Sequence, residues 1–279
     1  MSPKTHLLAV LVLIGIAYAG ARAQQVHYNP VPKETIESRL NKYGGKDSVR
    51  EATLKQMFAE VGCDDQHLSE QPVKGSKLPN VICVLPGTSD HVVIVGAHFD
   101  HVAEGSGVVD NWSGASLLPS LYQALKDQPR KHTFIFIGFT DEEKGEVGSH
   151  FYVQQMTTEQ VDATDAMVNM DTLGLGPSEI WMSHSDKELI HMLAKVAKAT
   201  NLPVTGMNVD NVGSTDSEQF VKRNIPRITI HSVRQETWDI LHSPQDKISK
   251  INLADYYQSY SLIAAYLAYI DQAYTKAAN

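Results

Sequence analysis

The sequence predicts an α/β protein, a three-layer α/β/α sandwich on a mixed, mainly parallel central sheet. Runs rich in β-branched and aromatic residues alternate along the chain with runs of helical periodicity, the order that puts helices on both faces of a sheet. One run, HTFIFIGF at residues 132–139, is apolar at nearly every position. A strand with no polar side is buried on both faces, as in the middle of a covered sheet. No internal repeat, low-complexity tract or Pro- or Ser-rich linker divides the chain, so one domain is expected.

The chain opens on MSPKTHLLAVLVLIGIAYAGARAQ. Lys4 precedes an apolar run from Leu7 to Ala19, and small residues follow at Ala21 and Ala23, the build of a secretory signal peptide cut after Ala23. The apolar run is short for a membrane span, and an uncleaved anchor is the alternative. The expected division is therefore residues 1–23 as signal peptide and 24–279 as a single exported domain, secreted or periplasmic. Its length suits one α/β domain with a full core. The leader carries two positive charges, Lys4 and Arg22, so its removal takes the net charge from −8 to −10. An acidic surface of that kind argues against nucleic acid or anionic lipid as a partner.

Between Pro32 and Gly62, ETIESRLNKYGG and SVREATLKQMFAEVG read as two helices broken at Gly44-Gly45, a supporting outer layer. NVICVLPG and HVVIVGAHFDH (91–101) read as short strands. After a loop over 104–109, SGASLLPSLYQALKD is helical, with Pro119 tolerable only near its first turn. Beyond HTFIFIGF come a helix near Ser149 to Gln155, the strands DAMVNMD and EIWMSH, and the helix SDKELIHMLAKVAKAT with Ser185 or Asp186 as N-cap. PRITIHS is a further strand. NLADYYQSYSLIAAYLAYIDQAY reads as a long amphipathic helix opened by Asn252. In an oxidising compartment the two cysteines, Cys63 and Cys83, are expected to form one disulfide, two buried thiols being the alternative. Neither has a His or Cys at ligand spacing, so they make a poor metal pair.

Ligands of such folds gather at the C-terminal ends of the strands. There the sequence puts His98, Asp100 and His101, then Asp110 and Asn111, then Asp141, Glu142 and Glu143, then Asp171, and near the end His242. Each alone has an ordinary explanation as a turn residue, a helix cap or a solvated charge. Together, two imidazoles and several carboxylates at one sheet edge suit zinc, whose catalytic sites use nitrogen and oxygen ligands and leave a position open.

The motifs GAHFDH, DNWSG, TDEEKGEVGS, NMDTLG, STDSEQF and LHSPQDK, in that order across residues 80–247, resemble those of the co-catalytic zinc aminopeptidases secreted by bacteria. This is the leucyl aminopeptidase and aminopeptidase S type, with the zinc exopeptidase fold, related to the glutaminyl cyclases. The resemblance implies two zinc ions per chain, one held by His98 and Asp171, the other by Glu143 and His242, with Asp110 bridging both. It implies Glu142 as the general base acting on a water between the metals. Asp100 would accept the remaining N–H of His98. Asp216 would stand just behind the ligands or order the loop near the site, and the peptide after Asp110 is a candidate for the cis form. The implied substrates are peptides with a free N-terminus, acted on by a monomer with no nucleic acid and no stable membrane association.

Two departures stand out. Trp112 replaces the usual small residue of the bridging motif and is expected to reshape the pocket; Leu241 stands where some relatives carry a Tyr, so the oxyanion role is unassigned. Trp238 is a candidate for the cleft wall or the core. Asp141 is left to cap a turn or face water, and His101, His150, His184 and His231 have no motif role. The leading reading is a secreted dizinc aminopeptidase. A glutaminyl-peptide cyclotransferase with one zinc and a non-catalytic ectodomain of the same fold are the alternatives.

Overall fold

In the computed structural model, residues 10–14, 24–211 and 213–276 are described. The strands are β1 (Val10–Ile14), β2 (Gln24–Tyr28), β3 (Leu68–Gln71), β4 (Asn80–Leu85), β5 (Val92–His98), β6 (Thr133–Phe139), β7 (Thr164–Met170), β8 (Ser178–Trp181), β9 (Val204–Met207) and β10 (Arg227–His231). The helices are α1 (Lys33–Leu40), α2 (Asp47–Glu60), α3 (Ser113–Ala115), α4 (Leu118–Leu125), α5 (Val147–Gln155), α6 (Thr158–Ala163), α7 (Lys187–Thr200), α8 (Glu218–Val221) and α9 (Leu253–Ala273).

Eight strands form one sheet in the order β3-β4-β6-β5-β7-β10-β8-β9. Its centre, β6-β5-β7-β10, is parallel, while β3-β4, β4-β6 and β10-β8 pair antiparallel. The mixed, mainly parallel sheet is as expected. Alternate side chains of the central strands enter different layers, because successive residues of a strand point to opposite faces. Val93, Val95, Phe134, Phe136, Ala166 and Val168 join the core under α1, α2, α4, α7 and α9. Ile94, Ile137, Phe139 and Met167 face a smaller core with Val153, Val161 and Phe220 from α5, α6 and α8.

β1 and β2 form a separate antiparallel ribbon, Val10 opposite Tyr28. Residues 1–9 and 15–23, the rest of the expected signal peptide, lie outside the described residues. Among the described residues no helix is long and apolar enough to cross a membrane. Cys63, just after α2, is bonded to Cys83 of β4, their Cα atoms 6.4 Å apart.

Three local expectations change. Helix α9 is not amphipathic: every residue from Leu262 to Ile270 is buried, because sheet, helices and the β2 ribbon surround it. Asp186 holds the N-cap position of α7 without capping it with its side chain. Its carboxylate instead accepts the N–H of Arg227 at 2.7 Å, and Ser185 Oγ accepts that of Thr229 at 3.0 Å, so both side chains serve strand β10. EIWMSH is strand only to Trp181, and Met182–His184 turn as a 3-10 helix.

Candidate metal centre

The parallel register of β5, β6 and β7 brings the acids and the first histidine together. His98 ends β5 opposite Phe139, the last residue of β6, and Phe99 N–H donates to Phe139 O at 3.0 Å. The chain after β6 therefore delivers Glu142 and Glu143 beside His98. Asp171 follows β7 directly and donates its N–H to Ile230 O of β10 at 3.0 Å. Asp110 comes from the irregular turn Val108–Trp112, and the Asp110–Asn111 peptide is cis. Asn111 ties that turn to β7: its Nδ2 donates to Met170 O at 2.8 Å, and its Oδ1 accepts the N–H of Gly114 and of Thr172 at 3.0 and 3.1 Å. A Cβ on Gly114 would lie 2.6 Å from Asn111 Oδ1 and 2.7 Å from Met170 O, which explains the glycine in DNWSG.

The result is two triads sharing one residue, His98–Asp110–Asp171 and Asp110–Glu143–His242. In the first, His98 Nε2 lies 3.3 Å from Asp110 Oδ1 and 3.6 Å from Asp171 Oδ1. In the second, His242 Nε2 lies 3.3 Å from Asp110 Oδ2 and 2.9 Å from Glu143 Oε2. The two oxygens of Asp110 thus face different triads, the geometry of a bridging carboxylate. Glu142 Oε2, 3.9 Å from His98 Nε2, belongs to neither.

Residues 80–267 match Peptidase family M28, two thirds of the chain. The chain belongs to this family. Aminopeptidase YwaD of Bacillus subtilis is 26% identical over 181 residues, covering 62% of this chain and 40% of that protein. A probable leucine aminopeptidase of Arthroderma benhamiae is 26% identical over 251 residues, covering 84% and 70%. The chain therefore spans well under half of the first relative and about two thirds of the second. The solved structure of Legionella pneumophila LapA aminopeptidase superimposes with a TM-score of 0.73 at 20% identity, covering 86% of this chain and 72% of that one. A glutaminyl cyclase from an Acidobacteriales bacterium gives 0.72 at 17% identity, covering 92% and 99%. At such identities these two likenesses show the shared fold.

The electrostatics of this M28 site call for a cation. Four carboxylates, from Asp110, Glu142, Glu143 and Asp171, crowd two imidazoles in a largely buried space. Burial opposes charge on His98, but Glu142, Asp100, Asp110 and Asp171 outweigh it and raise its pKa. Hydrogen bonds to Asp110 and Glu143 push His242 up to about 10. Burial disfavours the charge of Asp110, yet both histidines overcome it and lower its pKa. Without metal, protons on the histidines do what a bound cation would do. Glu143 Oε1 is buried with no hydrogen-bond partner among the described residues. The residues present fit zinc, with mixed nitrogen and oxygen donors, three to a triad, leaving room for a further ligand.

Other expected residues are placed differently. The carboxylate of Asp100 lies 3.6 Å from His98 Nδ1, beyond hydrogen-bond distance, while the Asp100 carbonyl is at 3.3 Å. That carboxylate instead accepts the N–H of Glu142 at 3.0 Å and of Glu143 at 3.2 Å, orienting the acids rather than the imidazole. Asp216 is buried, and neither of its side-chain oxygens has a hydrogen-bond partner among the described residues. Burial raises it to about 8, keeping it protonated near neutral pH. Its neighbour Thr215 donates to Asp171 Oδ2 at 2.7 Å. Trp112 does not touch the cleft: it points the other way, fully buried, its Nε1 donating to Arg39 O at 3.2 Å. Asp141 is buried rather than in water, paired with Lys144 Nζ at 2.7 Å.

A cleft of about 210 Å³ opens on the triads. Its far wall is apolar, formed by Trp181, Val209, Val233 and Leu241, with Trp238 packed behind. Drug-sized sites run from about 300 Å³ upward, so this one suits a single side chain. His231 also lines it and was missed in the sequence, although it too ends a strand. Of the remaining histidines, His101 pairs with Asp47 at 2.6 Å, His150 with Gln219 at 3.0 Å, and His184 with Asp210 and Glu218 at 3.2 and 3.0 Å.

Proposed function

We propose that the chain is an exported zinc aminopeptidase that removes one N-terminal residue at a time from peptides, with two zinc ions. His98 and Asp171 would hold one, Glu143 and His242 the other, and Asp110 both. The observation that carries this reading is the pair of triads sharing Asp110, with Glu142 beside them and an apolar cleft alongside. Zinc bound there supplies acidification of a water and polarisation of the scissile carbonyl.

The residues of the chain do the rest. Glu142 takes a proton at its carboxylate and later passes it to the leaving amine. In the metal-free site burial raises the pKa of Glu142, against the pull of His98. Asp100 holds Glu142 and Glu143 by their backbone N–H groups, which keeps base and ligand in one relation. The wall of Trp181, Val209, Val233 and Leu241 would receive an apolar N-terminal side chain, in keeping with a relative described as a probable leucine aminopeptidase. The α-amino group would face the carboxylates. Export rests on the leader-like sequence of residues 1–23.

A glutaminyl cyclase is the second reading, favoured by the fold likeness that spans 99% of the Acidobacteriales chain. The deciding experiment offers the purified zinc-loaded protein leucyl-p-nitroanilide and, separately, a peptide with N-terminal glutamine. Chromogenic cleavage is expected. Ammonia release without chromogenic cleavage would replace the first reading by the second.

A further inference from the structure

The carboxylate of Asp246, four residues past His242, accepts three consecutive backbone N–H groups of the turn that carries Asp110. Oδ1 accepts from Val108 and Val109, both at 2.9 Å, and Oδ2 from Asp110 at 3.1 Å. The carbonyl of Asp246 accepts the N–H and the hydroxyl of Ser106, each at 2.8 Å. Every one of these contacts joins the segment bearing one ligand to the segment bearing another. The approach is close enough that a Cβ on Gly105, at φ +82°, would lie 2.4 Å from Ser243 O.

Asp246 is 2% exposed, and a buried carboxylate needs a counter-charge. Arg50 of α2 lies behind the same turn, within the field of Asp246 but without an ion pair to it. It is fully buried, donates to the carbonyls of Phe99 and Ser106, and lies 5.8 Å from the centre of the Trp112 ring. Trp112 therefore packs against the guanidinium behind the bridging turn.

The two triads do not depend equally on this clamp. His98 ends β5, and Asp171 follows β7 and bonds to β10. His242 lies in no strand, has φ +52°, and its side chain is half exposed. We infer that Asp246 is a positioning residue that couples the two half-sites, holding the Asp110 bridge against His242. The inference rests on the two-zinc reading above.

The test is a zinc titration of metal-free wild type, Asp246→Asn and His242→Ala, read by competition with a chromogenic chelator. Asn at 246 sets an amide NH2 against a backbone N–H, donor against donor. Wild type should show two sites. Asp246→Asn should keep one within about threefold and weaken the other by about tenfold or more, the range for residues that orient metal ligands. The weakened site should be the one missing in His242→Ala. Two unchanged sites, or equal weakening of both, would overturn the inference and leave the two-zinc reading standing. A single site in wild type would take down both. If near-UV circular dichroism finds Asp246→Asn unfolded, Ser106→Ala, which removes one bond to the Asp246 carbonyl, should weaken the same site by a smaller factor; equal loss at both sites is again the contrary result.

Discussion

Glu142 and Glu143 are adjacent in sequence and end in different surroundings. Glu143 reaches His242 Nε2 at 2.9 Å, whereas Glu142 sits at the side of the cluster with its charge disfavoured by burial. Glu142→Gln should therefore lower kcat on a p-nitroanilide substrate by about 10²- to 10⁴-fold, the usual worth of a general base. Zinc content by atomic absorption should be unchanged, because neither triad includes it. Asp141, the third acid in the row, contacts Lys144, whose side chain is mostly exposed, so that pair contributes about 1 kcal/mol or less. Asp141→Asn should leave kcat within about threefold and shift the urea midpoint only slightly; a loss comparable to that of Glu142→Gln would contradict this. The clustering of acids after a strand marked the site in the sequence. Their separate roles depend on side-chain directions, which chain order does not express.

Helix α9 shows which features of an element are local. Asn252 caps it as expected, its Oδ1 accepting the N–H of Ala254 at 3.0 Å and of Asp255 at 3.3 Å. A cap uses groups within one turn, so it is written in a few consecutive residues. Asn252→Ala should cost about 1 kcal/mol, measured by urea unfolding, with kcat unchanged since the Asn252 side chain bonds only Ala254 and Asp255 and no residue of the triads. The burial of α9 on all sides was not legible, because it depends on what packs around it. The same holds for Ser185 and Asp186, residues of good capping type that strand β10 claims instead. The short strand β9 and the four-residue helix α8 escaped notice because so few residues carry little periodicity.

At the scale of the whole molecule, the end of the sheet opposite the triads is tied by charge. His132, just before β6, lies 3.0 Å from Asp165 of β7 and 3.2 Å from Asp271 of α9, and His91 also approaches Asp165, at 3.0 Å. Burial opposes the charge of His132, but its bonds to Asp165 and Asp271 prevail and hold its pKa at about 9. An ordinary histidine titrates near 6.5, so the folded chain binds this proton more tightly than the unfolded one. The stabilisation is complete below about pH 6.5 and is lost as pH rises through about 9. Urea midpoints of the metal-free protein should fall across that interval, and His132→Gln should flatten the fall; an equal decline in both would exclude His132 as its source. By itself the sequence determined the α/β class, the order of the longer strands and helices, and a cluster of histidines and acids at the strand ends, from which the resemblance to a known family singled out the residues of the two triads. The class, the elements and the cluster follow from periodicity and composition, which are properties of neighbours along the chain. Only the tertiary structure decided that Asp100 serves the acids, that Trp112 backs onto Arg50, that His231 enters the cleft and that Asp246 clamps the bridging turn. Each of those depends on a partner far away in sequence, brought within hydrogen-bonding or packing distance by the closure of the sheet and its two helical layers.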